Sequence, residues 1–263
     1  MEQAQKKKLW WQIPFLLFLV IGTIVIIRQQ RSEAYQKNSG FVFGTVYNVT
    51  YQSDEDLQQA IEAELQKVDD ALSMFNEHSV ISRINQGERF VGQTEEERMF
   101  MDVFRLAMQI SADTEGAFDI TVAPLVNAWG FGFKSGQMPS PSQVDSIRQF
   151  VGYQRIGAQA AEGGETIAKS DPRMMLDCSA IAKGYGTDAV ARLLRARGIA
   201  NFMVEIGGEV ATSGVNRRGT AWTVSVDMPD DETTAVTHES ALALTLDSGA
   251  VATSGNYRKW RDE

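Results

Sequence analysis

The order of its apolar periodicities constrains this chain most, because helical stripes come early and strand-like alternations cluster late. Leu57, Ile61, Leu65, Val68 and Leu72 recur at intervals of 4, 4, 3 and 4, which puts one apolar stripe on a helix ending near Ser73 and calls for a sheet to lie against it. Ser53 and Asp56 precede it with the spacing of a capping box. A second box, Thr94 with Glu97, opens a helix whose Phe100, Phe104, Ala107 and Ile110 or Ser111 face inward, before Gly116 stops it. A third helix is predicted over residues 180–197, apolar at Ala182, Ala189, Val190, Leu193 and Leu194 and closed by Gly198. Strands are predicted over 41–51, interrupted by Gly44, and over 201–206, 222–227, 241–246 and 251–254, with Asp230 and Asp231 in a turn. No regular βαβ period links them. The predicted class is therefore α+β, with helices and an antiparallel-rich sheet in one large domain, long enough to form two lobes around a shared core.

Ahead of this body, residues 9–27 contain no charge over 19 positions, and as a helix they would rise roughly 28 Å, close to a bilayer core of about 30 Å. Lys6, Lys7 and Lys8 precede the run, and Trp10 and Trp11 sit at its edge. The positive-inside rule then makes residues 1–8 a cytoplasmic basic tail and 9–27 a transmembrane helix, with a tether over 28–40 leading to an extracytoplasmic domain over 41–263. A cleaved signal peptide is the alternative. Five basic residues against Glu2 leave the first 31 positions at +4, so that the rest carries −13 of the total −9. Such an acidic body repels polyphosphate backbones, which excludes nucleic-acid binding but not a small phosphorylated ligand met by a local lysine, a metal ion or backbone N–H groups. Cys178 is the single cysteine, so there is no intrachain disulfide and no cysteine-rich metal site. It reads as a small buried hydrophobe. His78 and His238 are far apart and lack any triad or metal-binding neighbourhood.

Three stretches can carry chemistry. In Asp177-Cys178-Ser179-Ala180-Ile181-Ala182-Lys183-Gly184-Tyr185 an acid and small residues lead into a helix, whose N-terminal amides favour an anion and whose Lys183 adds point charge. The plainer reading makes Asp177 a cap and Lys183 a solvated residue. Gly207-Gly208, straight after a strand, permit either close ligand approach or a tight turn. Residues 115–126, followed by Trp129-Gly130-Phe131-Gly132-Phe133, place aromatics between glycines, as either the walls of a flat pocket or a cover for the core.

With these stretches in view, the chain resembles the ApbE-like family of FAD:protein FMN transferases from about Phe43 to its last residue. Four segments in order carry the likeness: Phe43-Gly44-Thr45; Met74-Phe75-Asn76 through Ser79 to Asn85; Gly116 to Asp119 through Trp129 to Gly132; and Asp177 to Tyr185 with Gly207-Gly208. The resemblance implies a Mg²⁺-dependent enzyme that splits FAD, releases AMP and attaches FMN to a threonine of a secreted or membrane acceptor protein. It implies FAD contacts at Phe43, Phe75, Ala117, Phe118, Asp119, Asp177 and Lys183, and a Mg²⁺ ligand in the Ala180 carbonyl. The chain departs from the family pattern at Phe43, for a usual methionine, at Ile120, at Cys178-Ser179, and at Glu209, where asparagine or a small polar residue is frequent. Family members also continue into a segment that completes the metal site, so the catalytic side chains are expected beyond Glu263. Without them, the alternative is a membrane-anchored flavin-binding or carrier module.

Overall fold

Alternating β-branched and aromatic residues pair antiparallel into a five-stranded sheet in which β1 (Tyr35–Val42), β2 (Thr45–Gln52), β5 (Phe202–Ile206), β6 (Glu209–Ser213) and β9 (Gly249–Val251) lie side by side in that order. The computed structural model describes residues 14–26, 34–88, 91–131, 138–227 and 240–255. Where one interrupted strand was predicted over 41–51, the chain makes a hairpin. Phe43 and Gly44 have φ of 51° and 74° and join the paired residues Val42 and Thr45. Only such a mirror-image turn matches the right-handed twist of the strands, and it draws 35–40 out of the predicted tether into β1.

The helices are α1 (residues 14–26), α2 (Gln58–Leu72), α3 (Val80–Asn85), α4 (Glu95–Asp113), α5 (Ala123–Ala128), α6 (Pro141–Arg148) and α7 (Ala182–Ala196). Two further hairpins stand apart from the main sheet, β3 (Ile156–Ala161) with β4 (Gly164–Lys169) and β7 (Trp222–Asp227) with β8 (Ser240–Leu246). Ile61 and Leu65 of α2 and Val190, Ala191 and Leu194 of α7 bury themselves against Tyr47, Val49, Tyr51, Phe202, Val204 and Ile206 of the sheet. Farther along α2, Val68, Ala71 and Leu72 enter a second cluster with Ile81 and Ile84 of α3, Phe100 and Phe104 of α4, and Ile120, Met174, Leu176 and Cys178 from loops. The two lobes allowed by length thus share α2, and α7 joins them as well, with Ala189 in the second cluster and Val190, Ala191 and Leu194 in the first.

The Thr94–Glu97 box is present on α4, and Ser111 rather than Ile110 completes its buried stripe. The Ser53–Asp56 box is absent. Asp56 is drawn to the Asn38 amide at 2.8 Å and the Gln58 N–H at 3.0 Å, while the Tyr51 hydroxyl accepts from the Leu57 N–H at 2.6 Å. A strand residue therefore does what a sequence-local side chain was expected to do. At the other end of the fold, α7 starts two residues later than predicted, and β9 shares only Val251 with the predicted strand. Asp230, Asp231 and His238 lie outside the described residues. Of the apolar run, 14–26 is helical with its large side chains exposed, Phe18 by 72%. No helix among the described residues is long and apolar enough to cross a membrane.

Tyr51 offers a direct test of this packing. Its hydroxyl also donates to Asn38 Oδ1 at 2.6 Å, so Tyr51→Phe leaves the Leu57 N–H and the Asn38 carbonyl oxygen without that partner in a buried place. Urea denaturation should show a loss of about 1–3 kcal/mol, and an unchanged midpoint would mean that neither bond contributes.

Candidate functional site

Two tight turns lie together at one end of the main sheet. Gly207 and Gly208, with φ of 55° and 96°, join the paired residues Ile206 and Glu209, and the Gly207 N–H donates to the Val46 carbonyl at 3.1 Å beside the Phe43-Gly44 turn. The Gly208 N–H donates to Glu205 Oε1 at 2.9 Å, and Asn48 holds Glu205 Oε2 at 2.8 Å. The glycine pair is thus a turn whose N–H groups are satisfied from within. It also permits close packing: a Cβ at Gly207 would stand 2.7 Å from Thr45 Cγ2, and one at Gly186 of α7 would stand 2.7 Å from the Phe43 ring. Phe43 is therefore folded over the first turns of α7.

The approach to α7 is a compact turn. Asp177 is buried, its N–H donates to the Ile120 carbonyl at 2.8 Å, and its Oδ1 accepts from the Ser179 N–H at 2.7 Å. The Cys178 carbonyl accepts from both Ile181 N–H and Ala182 N–H, at 2.9 and 2.8 Å. No side chain caps the helix. As a result, the N–H groups of Ala180, Lys183 and Gly184 find no acceptor, and the Ala180 carbonyl finds no donor, among the described residues. Unsatisfied N–H groups at a helix start, next to an exposed backbone, form a ready anion site. Lys183 is not the simply solvated residue of the plainer reading. Its ammonium reaches across to Glu209 Oε2 at 2.7 Å and the Gly207 carbonyl at 3.2 Å, so it is already paired, with side-chain exposures of 32% for Lys183 and 14% for Glu209.

Asp119 braces the neighbouring loop. Its Oδ1 accepts from the Thr121 N–H and hydroxyl at 2.8 and 2.6 Å, and its Oδ2 from the Tyr153 N–H at 2.9 Å. Thr121 in turn accepts from the Gly152 N–H at 2.7 Å. Ala117 is exposed, and Phe118 is half-buried against the same cluster that Phe43 and Tyr185 cover. Phe75 is 69% exposed on the loop between α2 and α3, and its neighbour Met74 belongs to that cluster. Trp129 and Phe131 lie exposed after α5, while Gly132 and Phe133 lie outside the described residues. The structure thus gathers Phe43, Phe118, Asp177, Ala180 and Lys183 about the first turns of α7. Sequence reasoning missed Thr121 and Glu205, although Asp-x-Thr and a Glu three residues before the second glycine are local signals for such bonds.

No three His, Cys, Asp or Glu side chains among the described residues converge on a metal site. What they supply is the free Ala180 carbonyl with the Asp177 carboxyl near it in sequence, which suits Mg²⁺, a cation commonly held by one or two carboxylates together with waters and substrate phosphates.

The model of the ApbE family matches residues 43–263. A curated relative from Vibrio cholerae serotype O1, named FAD:protein FMN transferase, is 34% identical over 86% of this chain and 67% of its own length. One of the same name from Haemophilus influenzae is 33% identical over 93% of this chain and 74% of its own. The chain thus spans about two thirds to three quarters of the length of these relatives. Among solved structures, the flavin transferase ApbE from Vibrio cholerae superposes with a TM-score of 0.75 at 34% identity, covering 88% of this chain and 74% of that one. The apo flavinyl transferase ApbE from Pseudomonas stutzeri gives 0.71 at 28% identity, covering 88% and 73%.

Cys178 sits in the middle of this site, yet burial, and then the adjacent Asp177 charge, push its thiol far above the usual range. It should stay unmodified by a thiol reagent at pH 8 in the folded protein and react fully in 6 M guanidinium, as read by mass spectrometry. Fast labelling of the native protein would place it at the surface instead.

Proposed function

Since the chain belongs to the ApbE family, we propose that it is an FAD:protein FMN transferase, which moves FMN from FAD to a threonine hydroxyl of an acceptor protein and releases AMP. The observation that carries this reading is the start of α7, where three N–H groups with no acceptor among the described residues and an ammonium stand together in a protein of net negative charge. The threonine oxygen attacks the phosphorus on the FMN side of the pyrophosphate, the bond from that phosphorus to the bridging oxygen breaks, the hydroxyl proton leaves, and AMP departs with the bridging oxygen. The N–H groups of Ala180, Lys183 and Gly184 hold pyrophosphate oxygens. Phe43, Phe75 and Phe118 offer apolar surface to the flavin, and Ala117 and Asp119 shape the loop beside it. The Ala180 carbonyl, with Asp177 close by, would hold Mg²⁺, which when bound offsets charge on the leaving phosphate.

Lys183 joins the phosphate by exchanging or sharing its partner, since Glu209 holds it beforehand. At the N-terminus, the basic tail and the apolar surface exposed all along residues 14–26 support a single-pass anchor that keeps the body outside the cell membrane, with its acceptor on the same side.

Incubation of the protein with FAD, Mg²⁺ and a threonine-bearing acceptor should add the mass of FMN to the acceptor and release one AMP for each transfer. Tight FAD binding with neither product would leave a flavin-binding module. Lys183→Ala should weaken FAD binding about tenfold, and less at high salt, by calorimetry. Glu209→Gln should strengthen it, because the ammonium no longer has a competing carboxylate. Equal affinities for all three proteins would remove Lys183 from the site.

A further inference from the structure

Lys169, the last residue of β4, is half-buried, and among the described residues no carboxylate pairs with it. It lines a cleft of about 240 Å³ with Ile84, Gly87, Glu88, Thr166 and Ile167. Burial pushes its pKa down, because desolvation disfavours the ammonium. Among the described residues its partner is the Ile84 carbonyl, to which Nζ donates at 2.6 Å. That carbonyl lies at the C-terminal end of α3, where a cation meets the negative end of the helix.

The next residue explains why this end of α3 is fastened. Asn85 Nδ2 donates to the Leu176 carbonyl at 2.9 Å, and Asn85 Oδ1 accepts from the Leu176 N–H at 2.7 Å. One side chain thereby takes the place of a neighbouring strand. On its other side, the same segment is held by the Asp177 N–H on the Ile120 carbonyl and by a parallel bridge from Met175 to Val122. The N-terminal end of α3 is tied as well. Ser79 Oγ donates to the Ser73 carbonyl at 2.6 Å and Ser82 Oγ to the Met74 carbonyl at 3.4 Å, next to Phe75. A helix of 6 residues is too short to hold its place by its own hydrogen bonds, so these side chains fix where it stands.

We propose that Asn85 and Lys169 are positioning residues, which use α3 as a bracket to set Leu176 and Asp177, and through them the start of α7, at a fixed distance from the Phe75 loop. This rests on the function proposed above for what the bracket serves, and on hydrogen bonds alone for its existence. Neither residue touches the reacting atoms. A shift of the α7 start relative to the flavin loop would misalign the pyrophosphate without removing any group that binds it, so turnover suffers more than binding.

The test uses the full chain with Asn85→Ala, Asn85→Asp, Lys169→Met and Lys169→Arg, each checked for folding by circular dichroism. Hydrogen exchange of amides 176–184 should quicken about tenfold in Asn85→Ala and Lys169→Met. With FAD, Mg²⁺ and a threonine-bearing acceptor protein, kcat for AMP release should fall about tenfold or more in both, while KM for FAD changes less than about threefold. Lys169→Arg should restore both readouts, since it keeps a charged donor. Asn85→Asp should not, since a carboxylate accepts from the Leu176 N–H but cannot donate to its carbonyl. Unchanged exchange in the folded variants overturns the proposal, and so does faster exchange with unaltered AMP release. Should the wild-type protein release no AMP at all, the proposed function fails, while the exchange measurement still decides whether the bracket exists.

Discussion

At the first turn of α7, N–H groups find no side-chain oxygen among the described residues, a condition that a folded chain tolerates only where water or a ligand can reach. A threonine, serine or aspartate one residue before the helix would have removed the site by capping it. The residue there is Ile181, and Asp177, which has the right chemistry, lies too early and spends its Oδ1 on Ser179. Glycines at 186 and 207 let the Phe43 hairpin and the second turn pack closely beside it.

Charge is arranged around the same place. In a body that carries −13, an ammonium beside the start of α7 attracts a carboxylate, and Glu209 is the one that holds it. The arrangement keeps Lys183 extended toward the sheet end, at the place where the helix start opens, and spares it the side-chain entropy of searching for that geometry when an anion arrives.

How far sequence reaches depends on the range of the interaction. The stripe from Leu57 to Leu72 and the Thr94–Glu97 box were legible, because each is decided within a few residues. So was the grouping of α+β elements, since periodicity reports burial directly. The Ser53–Asp56 box was misread because Asn38, a residue of another strand, claims the carboxylate. The hairpin at Phe43-Gly44 was hidden by a phenylalanine at positive φ, a conformation that a bulky residue rarely adopts. β3 and β4 carry alanine, glutamine and glycine in place of the usual strand formers, and no pattern announced them. Of the candidate site, the turn at Asp177 leading into a helix could be read, but neither Glu209's hold on Lys183 nor Asn85's on Leu176, made across 26 and 91 residues, has a local trace.

Because α2 gives Ile61 and Leu65 to one buried cluster and Val68, Ala71 and Leu72 to the other, neither cluster can lose its packing while the helix survives for its neighbour. The sheet and the loop-rich lobe therefore melt as one cooperative unit, and a cavity made in either lowers the stability of both. Evolution is held by the same coupling. Drift in the core is limited to exchanges that α2 accepts on both sides.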